Sequence, residues 1–193
     1  VFTGTLVTAW ATGNNMNTGR RDFGSAGAGT QTAALAFGGV AAPVTAVTEA
    51  YNGTNWTEVN DLNTARKYLA GCGTQTSALG FAGYHPGAIT GATEQYNGTN
   101  WTEVNDMSGA RYNLAGAGAT NTSGLSFGGS PASTNTELWN GTNWTEVNNL
   151  NTGRQNLGGC GTQTAALAFG GELPPGYLAT NELWNGTNWT LLN

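Results

Sequence analysis

The sequence predicts an all-β fold assembled from repeated four-stranded units, and three observations predict it. Asn-Gly-Thr-Asn-Trp occurs four times, at Asn52–Trp56, Asn97–Trp101, Asn140–Trp144 and Asn185–Trp189, so the chain repeats about every 45 residues. Each repeat contains a run in which large apolar residues alternate with small ones, at Leu35/Phe37, Leu79/Phe81, Leu125/Phe127 and Leu167/Phe169, which is the period of a strand. No segment carries a helical period. A worn copy of the tryptophan segment surrounds Trp10. Whatever recurs in every copy is read as architecture, and function is sought where the copies differ.

Composition fits this reading and excludes others. Of 193 residues 31 are Gly and only 9% are charged. Disordered chains are also poor in apolar residues, but they lack aromatics. Here 7 Trp, 6 Tyr and 6 Phe supply every unit with something to bury. The net charge of −5, with only 6 Lys+Arg, opposes binding to nucleic acid or to an anionic membrane surface. No apolar run approaches the roughly 20 residues that span a bilayer. With no visible signal peptide and Val1 at its start, the chain reads as a processed product or a segment of a longer polypeptide.

The second unit shows the elements in order. Leu69-Ala-Gly-Cys-Gly-Thr74 is a first strand of small residues, suited to a place where several units crowd together. Ala78-Leu79-Gly80-Phe81 is the second strand, and Gly83 closes it. A variable stretch, Tyr84 to Ala92, follows. Thr93-Glu94-Gln95-Tyr96 is the third strand. Asn97-Gly98 then predicts a type I′ hairpin turn with positive φ at both residues, leading into a fourth strand at Trp101-Thr-Glu-Val104. Four short antiparallel strands make one propeller blade. The expected organisation is a single β-propeller over 1–193, with blades at about 13–59, 60–104, 105–147 and 148–193 and an extra outer-strand segment at 1–12.

The residues that close each unit carry a family resemblance. Gly-Gly follows the second strand at Gly38-Gly39, Gly128-Gly129 and Gly170-Gly171. Glu-x-Tyr/Trp-Asn opens the third, Trp opens the fourth, and an Arg follows Trp56 and Trp101 ten residues on, at Arg66 and Arg111. This pattern resembles the kelch motif and implies a kelch-like β-propeller. The spacing from Tyr51 to Trp56 is a little short for kelch. The near-identical blocks also resemble arrays in virion proteins of tailed bacteriophages. Both termini offer an outer strand, Trp10 at one end and Trp189 at the other. The ends share one blade, or the chain is part of a larger ring, or a terminal strand is exchanged between copies to give a homo-oligomer.

Repeated polar residues read first as structure. Glu49, Glu94, Glu137 and Glu182 recur with Arg20, Arg66, Arg111 and Arg154. A ring of acid–base groups is one reading; paired charges that lock strands or blades together is the better one. The four repeated tryptophans read as blade-to-blade packing rather than sugar-stacking platforms. Cys72 and Cys160 stand where Ala28 and Ala117 stand in the other units, so both are expected to be small buried apolar positions.

The copies differ most between their second and third strands, at Val40–Thr48, Tyr84–Thr93, Ser130–Thr136 and Glu172–Asn181. All 5 prolines lie there. Such loops are expected on one face beside the links between units, where rigid scaffolds usually bind. Tyr84, His85, Glu172 and Tyr177 are the candidate ligand-binding residues. His85, the 1 histidine, makes no imidazole cluster for a metal, and no nucleophile or phosphate-loop motif is present, so neither catalytic residues nor a metal or cofactor is expected. The expected function is a non-enzymatic extracellular structural or adhesion propeller on a virion or phage tail, contacting a surface glycan or another virion protein. An adaptor propeller for protein–protein interaction and a small glycan-active hydrolase or lyase are the alternatives.

Overall fold

The computed structural model describes residues 13–192, and those residues form strands and connections without a helix. The strands are β1 (Gly24–Ser25), β2 (Ala34–Phe37), β3 (Thr48–Tyr51), β4 (Trp56–Val59), β5 (Ala70–Thr74), β6 (Ser77–Phe81), β7 (Tyr84–His85), β8 (Ala88–Ile89), β9 (Thr93–Tyr96) and β10 (Trp101–Val104). They continue as β11 (Ala115–Thr120), β12 (Ser123–Phe127), β13 (Thr136–Trp139), β14 (Trp144–Glu146), β15 (Gly158–Thr162), β16 (Ala165–Phe169), β17 (Glu172–Leu173), β18 (Gly176–Tyr177), β19 (Asn181–Trp184) and β20 (Trp189–Leu192). Four antiparallel sheets result, in the orders β1-β2-β3-β4, β5-β6-β9-β10, β11-β12-β13-β14 and β15-β16-β19-β20. Each is built from one continuous stretch of chain. Its register places Phe81 opposite Ala70 and Thr93, and Tyr96 opposite Trp101, in the second sheet. The hairpins β7-β8 and β17-β18 are small additions to the variable connections.

The turn before each tryptophan differs from the expected type I′ hairpin. Gly53 has φ +92°, but Asn52 is not in the left-handed region. Tyr51 pairs with Trp56, so four residues lie in the loop. The Asn52 carboxamide accepts the N–H groups of Thr54 and Asn55 at 3.0 and 2.8 Å. Asn97, Asn140 and Asn185 repeat this. The side chain closes the turn, so only the glycine takes positive φ.

Successive sheets face one another through three near-identical interfaces. Phe37 of the first sheet meets Trp101 of the second at 4.8 Å between ring centroids. Phe81 meets Trp144 at 5.0 Å, and Phe127 meets Trp189 at 4.9 Å. The indole N–H groups of Trp101, Trp144 and Trp189 donate to the hydroxyls of Thr48, Thr93 and Thr136 at 3.1, 2.9 and 3.0 Å. A carboxamide on each first hairpin caps the preceding sheet: Gln75 donates to the Tyr51 carbonyl, Asn121 to that of Tyr96 and Gln163 to that of Trp139. Trp101, Trp144 and Trp189 are therefore inter-sheet wedges, as their periodicity predicts, whereas Trp56 packs on Tyr51 of its own sheet.

Small residues let the first strands approach. β1, β5, β11 and β15 stand side by side and line one groove of about 180 Å³. A Cβ at Gly116 would lie 2.9 Å from the Gly71 carbonyl oxygen and 2.7 Å from the Phe81 ring. Backbone ladders cross the groove wall. Tyr68 N–H donates to the Asp22 carbonyl, Asn113 to Tyr68 and Asn156 to Asn113, at 2.8, 3.0 and 2.9 Å. A second ladder joins Gly39, Gly83 and Gly129 to the carbonyls of Arg66, Arg111 and Arg154.

Among the described residues the series is uncovered at both ends. Phe37, Phe81 and Phe127 are fully buried, whereas Phe169 of the fourth sheet is 41% exposed. Cys72 is buried and Cys160 is exposed, which corrects the expectation that both are buried. The reason is positional: among the described residues no sheet follows β15 to cover it. Trp56 is likewise only half-buried, while its three counterparts are buried. Four sheets thus share three apolar clusters among the described residues. The architecture is all-β with propeller-like succession. The segment 1–12, with Trp10 and the expected extra strand, lies outside the described residues.

Candidate functional site

One Arg and one Glu in each unit are committed to holding the units together. Arg20–Glu49, Arg66–Glu94, Arg111–Glu137 and Arg154–Glu182 pair at 2.7–2.9 Å with both side chains almost wholly buried. Each carboxylate also accepts backbone N–H groups from the link before its own sheet, as Glu94 does from Asn63 at 2.7 Å and Glu182 from Asn151 at 2.7 Å. Arg66 also donates to the carbonyls of Ala82 and Ala92, pinning the ends of the variable connection. Burial pulls the Arg66 and Arg111 guanidinium groups below the ordinary arginine range, and the paired glutamates oppose that pull. Each of these carboxylates accepts three or four hydrogen bonds, shared between its arginine and its link.

Chemical variety gathers at the edge where the variable connections meet the links. Val40, Tyr84, Ser130 and Glu172 form bridges with Arg21, Lys67, Tyr112 and Gln155. In the second unit the connection folds back as β7-β8 because Pro86-Gly87 forms its turn, with Gly87 at φ +106°. Tyr84 is thereby laid against Lys67. Its ring lies 6.4 Å from Tyr112, and Tyr112 lies 5.8 Å from Tyr68. The Lys67 ammonium sits 4.9 Å above the Tyr68 ring and 5.4 Å above that of Tyr84. All four side chains are half-buried. Three rings and one cation thus form a patch at the junction of the second and third units.

The other candidates sit apart from it. His85 follows Tyr84 on the same hairpin. Glu172 and Tyr177 face each other across β17-β18, on the fourth unit. The Glu172 carboxylate accepts from Gln155 and Asn156 at 2.7 Å each, and Tyr177 is 88% exposed. The connection of the third unit, Ser130–Asn135, stands between the two pairs. It is the shortest and leaves a cavity of about 390 Å³ against Gly109, Ala110 and Arg111. Tyr68, Tyr112 and Lys67 belong to the patch although they lie in links rather than loops. A signal for them was present: Tyr68 stands where the other units have Asp22, Asn113 and Asn156.

That substitution has a backbone cost. The four equivalent residues all adopt left-handed φ, 59°, 57°, 55° and 52°. Asp and Asn tolerate this region, whereas an aromatic residue there is strained. A strained residue that departs from its own repeat is a candidate for a role beyond folding. Among the described residues no group of three His, Cys, Asp or Glu side chains is placed to hold a metal ion. Neither a protein-family model nor a curated protein matches the chain.

Proposed function

We propose that the chain is a kelch-like β-propeller array, four blades of about 45 residues, that serves as a non-enzymatic structural and adhesion module. Its place is an extracellular or virion surface, as its resemblance to tailed-phage arrays suggests. Its loop edge binds a surface glycan at the tyrosine patch of Lys67, Tyr68, Tyr84 and Tyr112. The observation that carries this reading is Tyr68, an aromatic side chain kept at a left-handed position and turned into a cluster of half-open rings beside a cation. Aromatic rings offer large, rigid, amphipathic contact area at low entropic cost. The locking of one Arg–Glu pair per unit into the frame favours binding over catalysis.

The test is a glycan array probed with the intact chain, followed by titration of the best hit. Tyr84→Ala and Tyr112→Ala are expected to weaken binding at least about ten-fold. Absence of any bound glycan, or affinity that does not change in both variants, overturns the reading. Binding that survives there but is lost on replacing Glu172 and Tyr177 moves the site to the fourth unit.

A further inference from the structure

We infer that the cavity of the third unit is a subsite for one neutral, hydroxyl-rich sugar ring, an inference that rests on the reading of the tyrosine patch as a glycan site. The cavity, about 390 Å³, lies at the low end of ligand pockets, which run from roughly 300 to 1,000 Å³. It begins where the patch ends. Tyr112 follows Arg111 in the chain, and its carbonyl accepts the Ser130 N–H at 2.7 Å, so a wall of the cavity is tied to a residue of the patch. Three departures from the repeat shape it. The connection above it, Ser130–Asn135, is the shortest of the four. Gly109 stands where the other units have Thr18, Thr64 and Thr152. Ser126 stands where they have Ala36, Gly80 and Ala168.

These departures leave polar groups for a ligand. Arg66 and Arg154 donate to the carbonyls at both roots of their connections, Ala82 with Ala92 and Gly170 with Thr180. Arg111 donates to Glu137 and to the Ser126 hydroxyl instead, at 2.8 Å each. The Asn135 carbonyl, counterpart of those of Ala92 and Thr180, therefore keeps the lone pair that they give to arginine. The Ser130 and Thr134 hydroxyls and the Asn135 carboxamide are half-buried and make no side-chain hydrogen bond among the described residues. Donors and acceptors thus stand together, as sugar hydroxyls require. Charge decides the class of sugar. Arg111 is the one charged residue in the lining, and Glu137, itself buried, already balances it. A carboxylate placed there would meet the carboxylate of Glu137, and a neutral ring meets no such repulsion.

The test is an NMR titration of the intact, nitrogen-15-labelled chain with glucose, galactose and mannose, and with glucuronate as the charged comparison. At least one neutral hexose is expected to shift the amide signals of Gly109, Ala110, Ser133 and Asn135 saturably, with glucuronate weaker. Gly109→Thr restores the residue of the other three units. A Cβ there first meets Arg111 Nη1 at 3.5 Å, an ordinary contact, and Gly109 lies outside the left-handed region, so the variant is expected to unfold at the parent temperature. It narrows the cavity, and Gly109→Leu narrows it further; the dissociation constant of the hexose is expected to rise at least about ten-fold in the leucine variant and less in the threonine variant. Shifts confined to Tyr68, Tyr84 and Tyr112 overturn the subsite and leave the glycan reading of the patch standing. Shifts at neither place overturn the subsite, and the reading falls with it only if the glycan array is also blank. Cavity shifts as strong with glucuronate, or undiminished in both variants, overturn the assignment to a neutral ring in this cavity.

Discussion

Arg66 donates to Glu94 at 2.8 Å with both side chains sealed from water, and the same guanidinium binds the carbonyls of Ala82 and Ala92. One buried pair therefore joins a link, a third strand and the root of a variable loop. Removing one partner leaves an uncompensated buried charge. Arg66→Ala is expected to destabilise the chain by about 3–5 kcal/mol, read from urea denaturation. Arg66→Met with Glu94→Leu is expected to recover only the part due to the unpaired charge, because the Ala82 and Ala92 carbonyls and the Asn63 N–H still lose their partners. A single variant as stable as the parent contradicts the role given to the pair.

The inter-sheet wedge predicts a difference between equivalent tryptophans. Trp144 is buried against Phe81 and donates to Thr93. Trp144→Ala is expected to cost about 3–5 kcal/mol. Thr93→Val strands the indole N–H and is expected to cost about 1–3 kcal/mol. Trp56→Ala, at a half-exposed ring, is expected to cost clearly less than Trp144→Ala in chemical denaturation at low protein concentration. Equal losses at positions 56 and 144 run against a series that is uncovered at its first sheet.

Alkaline pH probes the buried thiol. Burial pushes the Cys72 pKa from 9.0 up to about 12. Between those values the unfolded chain has released the proton that the folded chain retains. Folding stability is therefore whole below pH 9 and falls as pH rises, by about 1.4 kcal/mol per unit from this group. Cys72→Ala, the residue that Ala28 and Ala117 already supply, is expected to flatten that part of the stability profile. Parallel profiles for parent and variant between pH 9 and 11 contradict the assignment.

Tyr68→Asn separates folding from recognition. Relief of the left-handed strain, about 1–2 kcal/mol, opposes the loss of ring contacts with Tyr112, about 0.5–1.5 kcal/mol. Thermal unfolding is thus expected to change little, while glycan binding falls. A large loss of stability marks Tyr68 as a structural residue and removes the reason for placing the site there.

Repeat logic reached far into this molecule because the strands are local. Each four-stranded sheet is a continuous stretch whose period-two pattern and turn residues sit next to one another in the chain. The inter-sheet tryptophans and the Arg–Glu pairs were legible for the same reason, since a contact made in every unit leaves a mark in every unit. The turn type was misread because the Asn52 side chain, rather than its backbone, closes the loop. Most of the tyrosine patch was missed because Lys67, Tyr68 and Tyr112 come from links of successive units, and only the stacking of sheets brings them beside Tyr84.

The sequence by itself determined the strands, their order within each sheet and the residues that wedge sheets together, because these depend on alternation and on short-range spacing. Tertiary structure alone decided that Cys72 is sealed and Cys160 open, and that Phe127 is covered and Phe169 bare. Those pairs are identical or nearly so in local sequence. What separates them is whether another sheet follows, and burial is a property of the neighbour as much as of the residue.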